Sequence, residues 1–134
     1  MITVTGGKQY QRNYATSIAE YVCKKFGIEP MVEISLREMR GDSNYGYCCE
    51  LEDGEYEIEV KRGLPLRTLL TTVAHEMVHV KQYETGQLTQ TNEINIDYWD
   101  RPSEIEAHGR ETGLFIRWAE DSGLAHRKWT QTKN

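Results

Sequence analysis

The sequence predicts a single α+β domain, spanning residues 1–134, with an N-terminal helix, a small antiparallel or mixed sheet and two further helices. Apolar residues recur at helical spacing over 12–26. Apolar and polar residues then alternate in segments between 31 and 61, and helical spacing returns between 66 and 122. A chain of 134 residues that is 38% hydrophobic can bury one modest core.

The first helix is predicted over 12–26, before the breakers Gly27 and Pro30. Its apolar stripe consists of Tyr14, Ala15, Ile18, Ala19, Val22 and Phe26. Strands are predicted over 31–39, 45–52 and 55–61, and Asp53-Gly54 is typical of a two-residue hairpin turn between the last two. The many acids of this hairpin could favour basic substrates, but they are more typical of a solvated sheet face.

The segment 66–84 is predicted to be a long amphipathic helix that ends before Gly86. Its apolar stripe consists of Leu66, Leu69, Leu70, Val73, Met77 and Val80. His75 and His79 lie on the other side, which they share with Thr68, Thr72 and Gln82. The helix is therefore expected to pack its apolar side on the core and to turn both imidazoles toward a cleft.

This helix contains an HExxH motif, His75-Glu76-Met77-Val78-His79. Two imidazoles one helical turn apart can bind one Zn²⁺, and Glu76 between them can take a proton from a metal-bound water. The motif predicts hydrolysis, with a peptide bond as the expected substrate. The alternative is a pair of histidines on a solvated helix face without metal, and the helical context favours the zinc site.

A catalytic zinc site needs a third protein ligand, and the second long helix offers one. Pro102, with Asp100 or Ser103 as a cap, predicts a helix start, and the helix should run to about 122. One face carries Glu104, Ala107, His108, Glu111, Leu114, Phe115 and Trp118. Ionisable groups on a core-facing stripe are costly to bury unless they are paired or bind metal, so Glu104 is preferred to Glu106. Acids near a helix start without metal are the alternative.

Together the two helices resemble the zincin metallopeptidases of gluzincin type, especially their small single-domain, SprT-like or phage-encoded members. The resemblance covers about 64–119. In gluzincins the second helix contains Glu-x-x-x-Asp, whose Glu is the third zinc ligand and whose Asp orients the first zinc-bound His. Glu104 matches that Glu, and His108 stands at the Asp position.

The resemblance implies that His75, His79 and Glu104 hold one zinc ion per chain. Glu76 would be the general base toward the zinc-bound water and later the proton donor to the leaving amine. It also implies that an edge strand above the metal helix pairs with extended substrate.

Two interpretations of His108 remain open. It either accepts a hydrogen bond from His75, with Glu111 supporting it, or is itself the third zinc ligand. By residue type, three side chains could stabilise an oxyanion, although each is more typical of a cap, surface or packing residue: Tyr98, Arg101 and Arg110. The polar segment 86–102 is predicted to border or cover the cleft, and a lid movement is hypothesised. Residues 124–134 are predicted to be a flexible tail in which Trp129 can dock.

Composition limits the partners. Sixteen Lys and Arg against 21 Asp and Glu give a net charge of −5, which makes nucleic acid an unlikely partner. We expect a cytoplasmic protein, because no apolar stretch reaches membrane-spanning length and the N-terminus does not resemble a secretory signal. Three cysteines, expected to be reduced thiols, fit that compartment: Cys23, Cys48 and Cys49. The sequence indicates no oligomeric state.

The leading hypothesis is a zinc-dependent peptidase acting on a protein or peptide substrate. Two alternatives come from other classes. One is a catalytically latent zinc-binding protein, suggested by His108 at the position of an acid. The other is a metal-free helical interaction domain whose polar helix faces meet solvent or a partner.

Overall fold

A computed structural model describes residues 1–41 and 43–131, which form three α-helices and four strands. In chain order these are β1 (Ile2–Gly6), α1 (Gln9–Phe26), β2 (Met31–Arg37), β3 (Gly46–Glu52), β4 (Glu55–Lys61), α2 (Leu66–Glu84) and α3 (Pro102–Asp121). Short 3₁₀ helices cover Tyr98–Asp100 and Lys128–Thr130. The predicted α+β class is confirmed.

The four strands form one mixed sheet in the order β1-β2-β4-β3. β1, β2 and β4 are parallel, whereas β3 and β4 form the predicted antiparallel hairpin around Gly54, whose φ is 79°. A positive φ suits glycine in a tight turn. The edges of the sheet are therefore β1 and β3.

β1 was not expected, because the predicted order began with a helix. Its five residues pair in parallel with β2, from Ile2 opposite Val32 to Gly6 opposite Leu36. A segment this short carries little periodic signal, so pairing with a distant strand makes it a strand. Gly6 has φ 78°, and a Cβ there would lie 2.2 Å from the Leu36 carbonyl oxygen, so this close approach requires glycine.

The core lies between the helices and one face of the sheet. β2 and β4 contribute alternate side chains, which are Val32, Ile34, Leu36, Tyr56, Ile58 and Val60. The predicted stripe of α2 is fully buried from Leu69 to Val80, and Leu66 is partly buried. α2 also packs against α1 and α3, which places it at the centre of the molecule.

In the segment after α3, predicted to be a flexible tail in which Trp129 can dock, Trp129 packs against the core and Thr130 is buried. The ring of Trp129 lies 5.2 Å from that of Tyr14, and Arg67 donates a hydrogen bond of 2.6 Å to the carbonyl of Thr130. Residues 132–134 of the predicted tail lie outside the described residues. Across the described ranges, no helix combines the length and apolar character needed to cross a membrane.

Candidate metal centre and active site

His75 and His79 lie in the middle of α2 and face α3. Four residues of helix amount to about 400° of rotation, so the two imidazoles lie on one face. They are only 8% and 6% exposed, because α3 covers the side of α2 that was predicted from the sequence to face a cleft. Both histidines therefore belong to a buried polar cluster between two helices.

Glu104, in the first turn of α3, joins the two imidazoles. One carboxylate oxygen lies 3.0 Å from Nε2 of His75 and the other lies 3.0 Å from Nε2 of His79. Tetrahedral zinc with bonds of about 2.0–2.1 Å spaces its ligand atoms about 3.3 Å apart, close to these separations. The helices thus bring two imidazole nitrogens, a type of ligand that zinc accepts, to the two oxygens of one carboxylate.

The second ring nitrogen of each histidine also has a partner. Nδ1 of His75 lies 2.9 Å from a Glu111 carboxylate oxygen, and Nδ1 of His79 lies 2.7 Å from Oε1 of Gln82. Because both partners accept hydrogen bonds, each Nδ1 carries its proton and each Nε2 is directed at Glu104. After loss of the Nε2 proton, histidines in this tautomer are suited to bind a metal through Nε2.

Gln82 is the supporting residue whose role the sequence did not predict. Its side chain is fully buried, and its amide donates to the carbonyl of Ser103 and to Glu106 at 2.9 Å each. These bonds fix the amide so that its oxygen points at His79. The one available signal was its place on the histidine side of α2, seven residues after His75.

The carboxylates control the charge of the cluster. Burial opposes the protonated form of His75, but hydrogen bonds to Glu104 and Glu111 outweigh burial and raise its pKa to about 10. The pKa of His79 is raised in the same way by Glu104, against the effect of burial. Burial would raise the pKa of Glu104, but both histidines hold it well below its usual value. A divalent cation would take the place of the protons that these histidines hold.

Glu76 lies beside this cluster under the edge strand β3. Burial raises its pKa to about 7, although His79 and His75 oppose the rise. One carboxylate oxygen would lie 3.4 Å from a Cβ placed on Gly46 of β3, so the strand passes close above it. A carboxylate with a pKa near neutrality is suited to accept and return a proton.

Two groups of potential ligands overlap at His75. Ligand atoms of His75, Glu76 and His79 lie within 4.8 Å of one another, and so do those of a group formed by His75, His108 and Glu111. Nε2 of His108 lies 3.8 Å from Glu104, whereas its Nδ1 lies 3.1 Å from Glu111. His108 is thus farther from the shared carboxylate than either histidine of α2.

Cavities open on both sides of the cluster. A cavity of about 460 Å³, here called the larger cavity, is lined by Gly46, Thr72, His75, Glu76, Tyr98 and Trp99 among others. A cavity of about 270 Å³, the smaller cavity, lies beside His79 and Glu104. β3 borders both, through Gly46 in one and Cys48 in the other. The cluster is therefore accessible along the edge strand.

The three candidate oxyanion residues lie in different places. Tyr98 lines the larger cavity, with its hydroxyl 2.9 Å from Nε2 of His108. Arg101 lines the smaller cavity and donates through Nε to the carbonyl of Ile96 at 2.8 Å. Arg110 pairs with Glu106 at 2.7 Å on the far side of α3 and lines neither cavity.

The segment before α3 borders the smaller cavity, as predicted, and caps the helix. Neither Asp100 nor Ser103 accepts a capping bond, and Glu93 takes this role. Its buried carboxylate accepts hydrogen bonds from the backbone N–H of Ser103, at 3.1 Å, and from the Ser103 hydroxyl. A negative group at a helix N-terminus is favourable, so Glu93 secures the turn that carries Glu104. Lid movement of this segment stays a prediction.

Comparison of the chain with protein-family models, curated proteins and solved structures found no match. The site is therefore described by its own geometry. That geometry is a buried cluster of two imidazoles and neighbouring carboxylates, carried by two helices, which could hold a metal ion.

Proposed function

We propose that this protein is a zinc-dependent peptidase of zincin type, in which His75, His79 and Glu104 hold one zinc ion and Glu76 is the general base. One observation carries the proposal. The Glu104 carboxylate lies 3.0 Å from Nε2 of each histidine, while Glu76 lines a cavity beside them. This arrangement supports the His-His-Glu ligand set that the resemblance to gluzincins implies.

When bound, zinc would supply a Lewis acid that acidifies water and polarises a carbonyl group. Glu76 would take the proton of the attacking water and deliver it to the leaving amine. Glu111 and Gln82 keep Nε2 of each histidine directed at the centre. The Tyr98 hydroxyl lines the same cavity as Glu76, and burial raises its pKa, so it stays protonated as a donor to the developing oxyanion.

The outer edge of β3, which pairs with no other strand among the described residues, offers a place for the substrate backbone. Tyr45 is hydrogen-bonded to β4, because the N–H of Lys61 donates to its carbonyl at 2.9 Å. In an antiparallel pair, residues that hydrogen-bond to the neighbouring strand alternate with residues that do not. The backbone N–H and C=O groups of Gly46 and Cys48 therefore point away from β4. Farther along, the Gln90 side chain donates to the Glu50 carbonyl at 3.3 Å. An extended peptide could therefore add to β3 over a short stretch between the two cavities.

The position of Glu111 argues against the alternative of a catalytically latent zinc-binding protein, which was suggested by His108 at the position of an acid. A carboxylate behind a metal-bound imidazole orients the ring and increases its basicity. Glu111 lies 2.9 Å from Nδ1 of His75 and so provides that carboxylate one turn farther along α3. The missing acid at His108 is thereby replaced, which favours the peptidase over the latent protein.

Metal analysis and peptide cleavage test the proposal. We expect about one zinc per chain in the purified protein, as one His-His-Glu site requires, and cleavage of an unstructured protein substrate. A chelator should abolish cleavage and added zinc should restore it. A chain that stays empty in excess zinc would instead support the metal-free interaction domain. A chain that binds zinc and cleaves none of a diverse set of peptides would support the latent protein.

Gly46→Ala is expected to lower kcat/KM for peptide cleavage by roughly tenfold to a hundredfold, because a small displacement of a catalytic group has effects of that order. The new Cβ would lie 2.9 Å from both the Glu59 carbonyl oxygen and Thr72 Cγ2, so β3 has to shift at the point where it passes Glu76, whose carboxylate is 3.4 Å from that Cβ. Zinc content should not change, since Gly46 contacts no proposed ligand.

Gly63→Ala is the matched control for this variant, because a Cβ at Gly63 meets nothing within 4 Å and its backbone lies outside the left-handed region. It should cleave like the parent. If Gly46→Ala also kept the parent's kcat/KM, the close approach of β3 to Glu76 would have no part in catalysis.

A further inference from the structure

Three aromatic side chains surround the larger cavity and remain open to solvent. Trp99 is 73% exposed, Tyr45 is 52% exposed and Tyr98 is 40% exposed. Exposed aromatic rings grouped around a cavity are typical of sites that bind apolar groups. We propose that this cavity binds an aromatic or large aliphatic side chain of the substrate next to the bond that is cleaved, an inference that rests on the proposed peptidase function.

One wall of the cavity is held in place before any ligand enters. The Tyr98 hydroxyl lies 2.9 Å from Nε2 of His108, and Nδ1 of His108 lies 3.1 Å from Glu111. The ring of Trp99 lies 4.9 Å from that of Tyr98 and 5.1 Å from that of His108. Because these rings are already ordered, little conformational entropy is lost when a side chain packs against them.

The charges around the cavity select against acidic side chains. Glu76 and Glu111 line it, and among the described residues no Lys or Arg does. Glu111 already lies within hydrogen-bond distance of both His75 and His108, at 2.9 and 3.1 Å, so it has partners without a cation from the substrate. A neutral apolar side chain fits these walls without leaving a charge unpaired.

The cavity also borders the proposed reaction centre, whose other ligands, His79 and Glu104, line the smaller cavity. His75 and Glu76 line the larger cavity together with Gly46 of the outer edge of β3. A substrate that pairs with β3 would place one side chain between Tyr45 and Trp99 while its backbone passes Glu76. Occupancy of the cavity should therefore affect the reactive complex and appear in kcat/KM.

The test is a peptide series that differs at one position at a time on either side of the cleaved bond. At one of these positions, Phe or Leu should raise kcat/KM over Ala by roughly tenfold, as a hydrophobic pocket can, whereas Lys and Asp should not. In the Trp99→Ala variant, the ratio of kcat/KM for the Phe peptide to kcat/KM for the Ala peptide should be close to one. Tyr10→Ala, which removes an exposed aromatic ring on α1 away from the cavity, is the control and should leave this ratio unchanged.

A binding measurement separates this inference from the proposed function. In the Glu76→Gln variant a Phe-containing peptide should change tryptophan fluorescence, and the change should vanish when Trp99→Phe is added, since Trp118 and Trp129 pack in the core cluster. A parent that cleaves no peptide would refute the peptidase, whereas this binding result would stand independently. Cleavage without preference, a preference for Lys, or a ratio unaffected by Trp99→Ala would refute the aromatic pocket.

Discussion

Glu76→Gln is expected to lower peptide cleavage by about 10²–10⁴-fold and to leave zinc bound, because a positioned general base contributes a factor of that size. Gln has the shape of Glu but cannot take a proton from water. The carboxylate of Glu76 is buried, and burial raises its pKa to about 7, so the replacement removes a poorly solvated acid and should not unfold the protein. Zinc per chain and kcat/KM would be measured on the same preparation.

Glu33→Gln is a suitable control, because Glu33 is exposed on the outer face of β2. It should match the parent in zinc content and in rate. Full activity of the Glu76→Gln variant would remove Glu76 from the role of base. Loss of both zinc and activity would instead make Glu76 a ligand of the metal. Its carboxylate is close enough for that, because ligand atoms of His75, Glu76 and His79 lie within 4.8 Å of one another.

Glu104→Ala is expected to abolish stable zinc binding, whereas His108→Ala should retain about one zinc per chain, as three remaining ligands allow. Glu104 is the carboxylate that contacts both His75 and His79, so its removal leaves two buried imidazoles without their shared partner. His108 is more exposed and contacts Glu111 and Tyr98. Elemental analysis after dialysis, with circular dichroism to verify folding, measures the difference.

Glu120→Ala provides the matched control, since it removes an exposed carboxylate from the same helix. It should bind zinc like the parent. The reverse pattern, with zinc lost from His108→Ala and kept by Glu104→Ala, would make His108 the third ligand. The site would then be of the three-histidine kind that the sequence left open.

Several features of the fold follow from local sequence. α2 has the predicted bounds, Leu66–Glu84, because helical periodicity and the stop at Gly86 are properties of consecutive residues. The hairpin of β3 and β4 follows from Asp53-Gly54 and the alternation on either side. The pairing of His75 with His79 on one helix face has the same local origin.

Other features depend on contacts between segments that are distant in the chain. β1 is a strand because β2 lies beside it. β3 lies at an edge of the sheet because β2 pairs with the other side of β4 and the order β1-β2-β4-β3 ends there. Residues that support the cluster, such as Glu93 at the start of α3 and Gln82 behind His79, take their roles from the path of the chain. Periodicity assigns a residue to a face, but it does not specify which distant element covers that face.

The candidate site shows both kinds of information. The HExxH spacing already places two imidazoles and an acid on one helical turn, because a helix repeats every 3.6 residues or so. The packing of α3 across α2 brings Glu104 within 3.0 Å of both imidazoles and places Glu111, rather than His108, behind His75. Helical periodicity thus determines that His75 and His79 share one face of α2. Their contacts with Glu104 and Glu111 depend instead on how α3 packs across α2, which is decided by the whole core.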